Sequence, residues 1–356
     1  MSDAAAAGAL GARVPARGIV SPGFDALLGG GASVAALAVL FALPARMVDP
    51  WMTKAFLPLS VLLNWPHFAA SYHLLYTTPG AASKHPFAAK YVPLGLLAYA
   101  AAAILLYGRA PILLQALHAV AAMYLAWHYT GQTWGTMSAF AGTEGLRFDA
   151  QARRLIGLNL LALLAWHATW SASLIHRLIG PALFAPIYAT VTALAVASTV
   201  AGLAGLWRLR QTEGRLPAQV WLPLLALHGW YAAFYHGEIF WVQLAQLSHA
   251  AQYLIFPARV RANREEKATG RPWAAASAAG YAALLVGLGV LGFWLLPGAA
   301  NHLAAWVSAP LGKGIAGVVV ADLLVIHHYF IDGCIWKLGD PEVRRDLLRH
   351  LPASKP

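Results

Sequence analysis

Four histidines, His67, His128, His249 and His328, each sit inside a different long apolar segment. Imidazole is the commonest metal ligand, and a metal-bound histidine normally gives its second N–H to a carboxylate or carbonyl. Ionisable groups are costly in hydrocarbon, so isolated imidazoles in such segments should face one another rather than lipid. The chemistry this points to is a buried metal site. Its candidate ligands are His67, His128, His249 and either His327 or His328, which are adjacent. Glu238 is a candidate ligand or an outer partner, and Asp332 and Asn64 are outer partners.

Each histidine belongs to a polar stripe at helical spacing. Asn64, His67 and Ser71 follow i, i+3, i+7, and His128, Gln132 and Gly135 follow i, i+4, i+7 inside WHYTGQTWG. Glu238, His249 and Gln252 share a face, with Gln246 and Tyr253 beside it. In IHHYFIDGCIWK, helical phase puts His328 and Asp332 one turn apart. Tyr253, Gln132 and Gln252 are candidates for orienting a species bound at the metal.

The elements that must position these groups are membrane helices. The chain is 59% hydrophobic and 11% charged, far from a soluble composition. Apolar stretches of about 18–25 residues recur along nearly its whole length, each able to span roughly 30 Å of hydrocarbon as a helix. The fold class is therefore all-α, a polytopic integral membrane bundle. Expected spans lie at roughly 24–45, 55–76, 91–108, 111–140, 155–176, 182–206, 219–236, 238–256, 273–296 and 311–337, about ten in all. Residues 1–23 and 338–356 form flanking segments around one transmembrane domain, 24–337.

The net charge of +11 does not indicate a nucleic-acid partner, because Lys and Arg cluster in short gaps between apolar segments. Basic gaps follow the second, fourth, sixth and eighth expected helices, and the tail after the tenth carries Arg344, Arg345 and Arg349. By the positive-inside rule both termini are cytoplasmic. The segment 219–256 is long enough to be one overlong helix, but basic gaps on both sides of it require two crossings. The lone Cys334 excludes an intramolecular disulfide or a Cys-rich metal cluster. The N-terminus has no pattern of a cleaved signal peptide, so the first helix is expected to be retained. A multi-pass protein of a bacterial inner membrane is the expected setting, with the bilayer and an apolar small molecule as partners.

In this topology the even-numbered helices run the same way. His67, His128, His249 and His328 then lie about 9, 12, 7 and 9 residues before their helix ends, one layer roughly 10–18 Å deep. The other histidines lack this support. His73 faces away from His67, His85 and His350 are in polar regions, and His118, His167, His176 and His302 lie at other depths. These read as structural or interfacial residues, and the 14 Trp and 13 Tyr as interface belts and packing.

The ordered motifs PHFAASYH, WHYTGQ, SHAAQY and IHHYFID resemble those of the bacterial Brp/Blh-type β-carotene 15,15′-dioxygenases. Pro66-His67, His128-Tyr129, His249, and His327 with Asp332 match the family's histidine positions. Ser71, Thr133 and Tyr253 stand where the family carries Asp, Asp and a second His. The likeness covers four short motifs. It implies a polytopic protein with iron held by helix histidines, and it favours His327 where helical phase favours His328.

The expected function is thus a membrane-embedded, metal-dependent oxygenase. Its cofactor would be iron as Fe2+, with zinc as the other option, because histidine-rich sites with open positions suit dioxygen chemistry. The substrate would be a carotenoid, another isoprenoid or a lipid chain entering from the bilayer. A proton-coupled transporter would use the same intramembrane His, Glu and Asp groups as a relay. A haem or quinone protein would need histidines facing in pairs at two depths, as His236 and His249 hint.

Overall fold

The computed structural model describes residues 18–43, 45–172, 180–235, 239–307 and 311–351. Among these every regular element is helical and there is no strand. The helices are α1 (Pro22–Ala42), α2 (Ala45–Leu59), α3 (Trp65–Thr77), α4 (Phe87–Leu105) and α5 (Ile112–Thr143). Then come α6 (Ala150–Ala172), α7 (Pro181–Glu213), α8 (Ala218–Tyr235) and α9 (Ile239–Thr269). The chain ends in α10 (Ala275–Trp306), α11 (Lys313–Ile335) and the short α12 (Pro341–Leu348). Each of the ten expected segments is helical over most of its length.

Five of these helices, α1, α4, α7, α10 and α11, are long and apolar enough to cross a membrane. They show large apolar side chains on the outside: Val200 is 72% exposed and Trp306 92%. An exposed apolar surface on this scale needs lipid or protein to cover it. Helices α3, α5 and α9 sit further inside and carry the polar stripes, which lowers their mean hydropathy.

The segment 219–256 folds back on itself. Leu222 on α8 and Gln252 on α9 both reach the neighbouring residues Gly29 and Gly30 of α1. In one continuous helix those two residues would be about 45 Å apart. Trp230 and His249 also approach, with ring centroids 6.5 Å apart. Helices α8 and α9 are therefore antiparallel neighbours. Gly30 is needed at this junction, since a Cβ there would meet the Leu222 carbonyl oxygen at 2.5 Å.

Four helices rise in parallel through the centre. His67 of α3, His128 of α5 and His328 of α11 lie at one level, with His249 of α9 beside them. One turn on, Ser71, Tyr253 and Asp332 meet, and Gln132 meets Gln252. Beyond the ends of these helices, ion pairs gather the connecting segments onto one face. Arg215 binds Glu144, Arg208 binds Asp149, Lys84 binds Asp340 and Arg264 binds Asp346. Asp149 is held below the usual carboxylate range, first by the Ala152 N–H it caps and then by Arg208. The start and end of the described chain join this face, where Arg259 donates to the Ile19 carbonyl and His350 to that of Gly18.

Candidate metal centre

Local sequence sets the approach of α3. Pro66 has no N–H to give and its ring would clash with a carbonyl four residues back. The five residues before α3, Ser60–Asn64, form a wide π-type turn, which relieves that clash and joins α2 to α3. Gly289 of α10 then lets α3 pack closely, because a Cβ there would meet the Trp65 backbone at 2.9 Å. The result is a wholly buried run from Trp65 to Ser71, with His67 pointed into the bundle.

The four expected imidazoles come together. His67 is 1% exposed, His128 4%, His249 2% and His328 0%. The His67 ring lies 4.5 Å from His328, 4.9 Å from His249 and 6.1 Å from His128, measured between centroids. His128 Nε2 and His249 Nε2 are 3.0 Å apart. Asp332 Oδ2 is 3.3 Å from His328 Nε2 and 3.9 Å from His128 Nε2. Potential ligand atoms of His67, His128, His328 and Asp332 all lie within 4.8 Å of one another.

The shorter of these distances match ligands around one ion, and the widest would close by a few tenths of an ångström on binding. With metal–nitrogen bonds of about 2.1 Å, ligands at right angles are about 3.0 Å apart and opposed ligands about 4.2 Å. A second observation agrees with the geometry. Both ring nitrogens of His67 and both of His328 are buried without a hydrogen-bond partner, as is Nδ1 of His249. Buried polar atoms are nearly always partnered, and an ion in the cluster would meet one nitrogen of each of these rings. Three or four imidazoles with one carboxylate suit iron, manganese or zinc. A buried His/Asp cluster able to hold a metal ion is thus present.

His327 turns the other way. Its Nε2 is 2.8 Å from the Ala88 carbonyl oxygen and its ring stands edge-on to Tyr72, so it ties α11 to α4. Adjacent residues on a helix point about 100° apart, and only His328 reaches the cluster. Asn64 is half-buried at the end of the wide turn before α3. Glu238 lies outside the described residues, as do His236 and His176.

Asp332 is both held and aimed. Its Oδ1 accepts from Ser71 Oγ at 2.6 Å and from Tyr253 Oη at 3.0 Å, leaving Oδ2 towards the imidazoles. Ser71 and Tyr253 also touch, with their oxygens 2.5 Å apart, and Trp336 Nε1 donates to Tyr253 Oη at 2.8 Å. Sequence reading placed Ser71 on the right face but gave no sign of Trp336, which lies beyond the end of α11. Tyr253→Phe should weaken metal affinity by about 10–100-fold, the usual cost of losing such an outer partner. Chelator competition measures it, and unchanged affinity would show that the phenol does not position Asp332.

The two glutamines have different duties. Gln252 accepts from Gln132 Nε2 at 3.1 Å and donates to the Gly29 carbonyl at 2.6 Å, so its amide is used to strut α5, α9 and α1 together. Gln132 also donates to the His249 carbonyl at 3.0 Å, while its Oε1 is buried without a partner. It lines a cavity of about 230 Å³ that begins at His128, Asp332 and Tyr253. The cavity wall is mostly apolar, with Trp127, Phe256 and Trp336 around it and Gly131, Gly135 and Gly333 leaving it open. Sequence spacing marked Gly135 on the same face as His128 but did not show a cavity.

Comparison with protein-family models, curated proteins and solved structures gives no match to this chain.

Proposed function

We propose that this chain is a ten-span protein of a bacterial inner membrane with both termini in the cytoplasm. We further propose that it holds iron as Fe2+ and oxygenates an apolar substrate, a carotenoid, another isoprenoid or a lipid chain. The observation that carries this reading is the conjunction of the buried His67, His128, His249 and His328, with Asp332 against them, and an apolar cavity that starts at their edge. Ligand pockets are typically apolar, with a few placed polar groups. The antiparallel α8 and α9, the four parallel site helices and the ion-paired face beyond their ends support the ten-span topology. The excess of basic residues on that face supports its cytoplasmic assignment.

In this reading His67, His128, His249, His328 and Asp332 hold the ion, which when bound would supply dioxygen activation. The chain's own residues do the rest. Ser71, Tyr253 and Trp336 fix the Asp332 carboxylate, Gln132 holds the His249 carbonyl, and the aromatic wall excludes water. Trp127 is 42% exposed on the outer side and its ring packs over Gly333, so substrate passes from lipid beside it.

We also propose a distant relationship to the Brp/Blh-type β-carotene dioxygenases. Its support is that Ser71 and Tyr253, which replace the family's Asp and His, are in contact with each other and with Asp332. These two departures fall together in one hydrogen-bonded unit, as paired replacements would, while the third, Thr133, is buried with no partner for its hydroxyl. Protein loaded anaerobically with Fe2+ and then given oxygen should show oxygen uptake that depends on β-carotene or a lipid extract, with cleaved or hydroxylated products. Iron-loaded protein that leaves carotenoids, other isoprenoids and lipids unchanged would overturn the oxygenase reading.

A further inference from the structure

A second buried polar group lies next to the metal centre on the side away from the cavity. His167 of α6 is 0% exposed, and its Nδ1 is 3.0 Å from Tyr231 Oη of α8. Its Nε2 has no partner. Tyr129, which follows the candidate ligand His128, fills the space between. Its ring centroid is 4.5 Å from that of His249 and 5.7 Å from that of His167. Beyond His167 the aromatic contacts continue outward, through Tyr231 at 4.9 Å and Trp166 at 5.4 Å to Tyr188 on α7 at 6.1 Å. A neutral imidazole carries one N–H and one bare nitrogen, so with the N–H on Nε2 the bare Nδ1 accepts from the Tyr231 hydroxyl and is placed to receive its proton.

We propose that Tyr231 is a redox-active tyrosine that returns one electron to the metal centre when the centre is oxidised without substrate. The proposal rests on the metal-centre reading above. In the step, Tyr231 loses an electron, which passes through Tyr129 and reduces the oxidised metal by one unit. The phenolic proton moves at the same time to His167 Nδ1, leaving a neutral tyrosyl radical and an imidazolium. An external one-electron donor such as a quinol or ascorbate restores the phenol and takes back the starting state. Hydrogen-bond geometry selects Tyr231 among the nearby tyrosines. Tyr129 Oη has no acceptor for its proton. Tyr253 Oη donates to Asp332 Oδ1 but also receives the Trp336 N–H, which makes removal of an electron from it harder than from Tyr231.

The test is freeze-quench electron paramagnetic resonance on full-length protein in detergent, loaded with Fe2+ and exposed to oxygen without substrate. Iron content and oxidation state are read on the same samples by Mössbauer spectroscopy. The expected result is a radical signal that narrows when ring-deuterated tyrosine is incorporated and is lost in Tyr231→Phe at equal iron loading. His167→Gln, which keeps a hydrogen-bonding group but removes the base, should lose it too, and Tyr188→Phe, at the outer end of the aromatic contacts, should retain it. Iron that binds and oxidises without a tyrosyl signal, or a signal that survives Tyr231→Phe, overturns the proposal and leaves the metal centre standing. Protein that binds no iron overturns both.

Discussion

His328→Ala should abolish stoichiometric metal binding, and His327→Ala should leave it intact. The two residues are neighbours in sequence and both are buried, so composition, depth and hydrophobicity cannot separate their effects. Orientation does. His328 packs its ring against His67 and His128 with Nε2 facing Asp332, whereas His327 spends its Nε2 on the Ala88 carbonyl. Losing an outer partner costs a metal site about 10–100-fold in affinity, and losing a ligand should exceed that. Losing the His327 hydrogen bond should cost about 1 kcal/mol of stability and no metal. Metal content and melting temperature of the two purified variants decide the matter. Equal metal loss in both would mean that His327 also acts at the site.

Gly135→Leu should block the substrate without touching the metal. Gly131 and Gly135 line the cavity, and a Cβ at either would meet no atom within 4 Å, so the helix can carry a larger side chain without strain. A leucine there projects into a space of only about 230 Å³. A single mismatched methylene in an apolar pocket is worth about 1–3 kcal/mol, so an added isobutyl group should lower substrate affinity or turnover by roughly 100-fold or more. Gly135→Ala should fall between wild type and Gly135→Leu. Binding is followed by quenching of protein fluorescence by a polyene, with metal content as the control. Normal binding in Gly135→Leu at full metal content would place the substrate elsewhere.

Much of the site's placement was legible because charge and helical phase are both written locally. Basic gaps set the common direction of the helices that carry His67, His128, His249 and His328, and residue counts then put the four at one level. In the structure their rings lie side by side. The i, i+4 spacing of His328 and Asp332 brings them to 3.3 Å. What was not legible depends on which faces of different helices meet. His167 reads as a histidine at another depth, yet Tyr129 links it to His249. Gln252 shares a face with His249, but the close approach of Gly29 on α1 captures its amide for packing. Trp336 and the cavity beside it arise from the way the chain leaves α11, where no periodicity remains to be read.

Whether these buried imidazoles hold a metal is read by plasma mass spectrometry on protein purified in detergent without chelators. Wild-type protein, His67→Ala, His128→Ala, His249→Ala and His328→Ala are compared with His327→Ala. The account predicts close to one metal ion per chain in wild type and in His327→Ala, with loss in the other four. Folded, metal-free wild-type protein that takes up neither iron nor zinc would contradict it. The histidines would then be groups that bind helix to helix or pass protons, and transport would become the activity to measure.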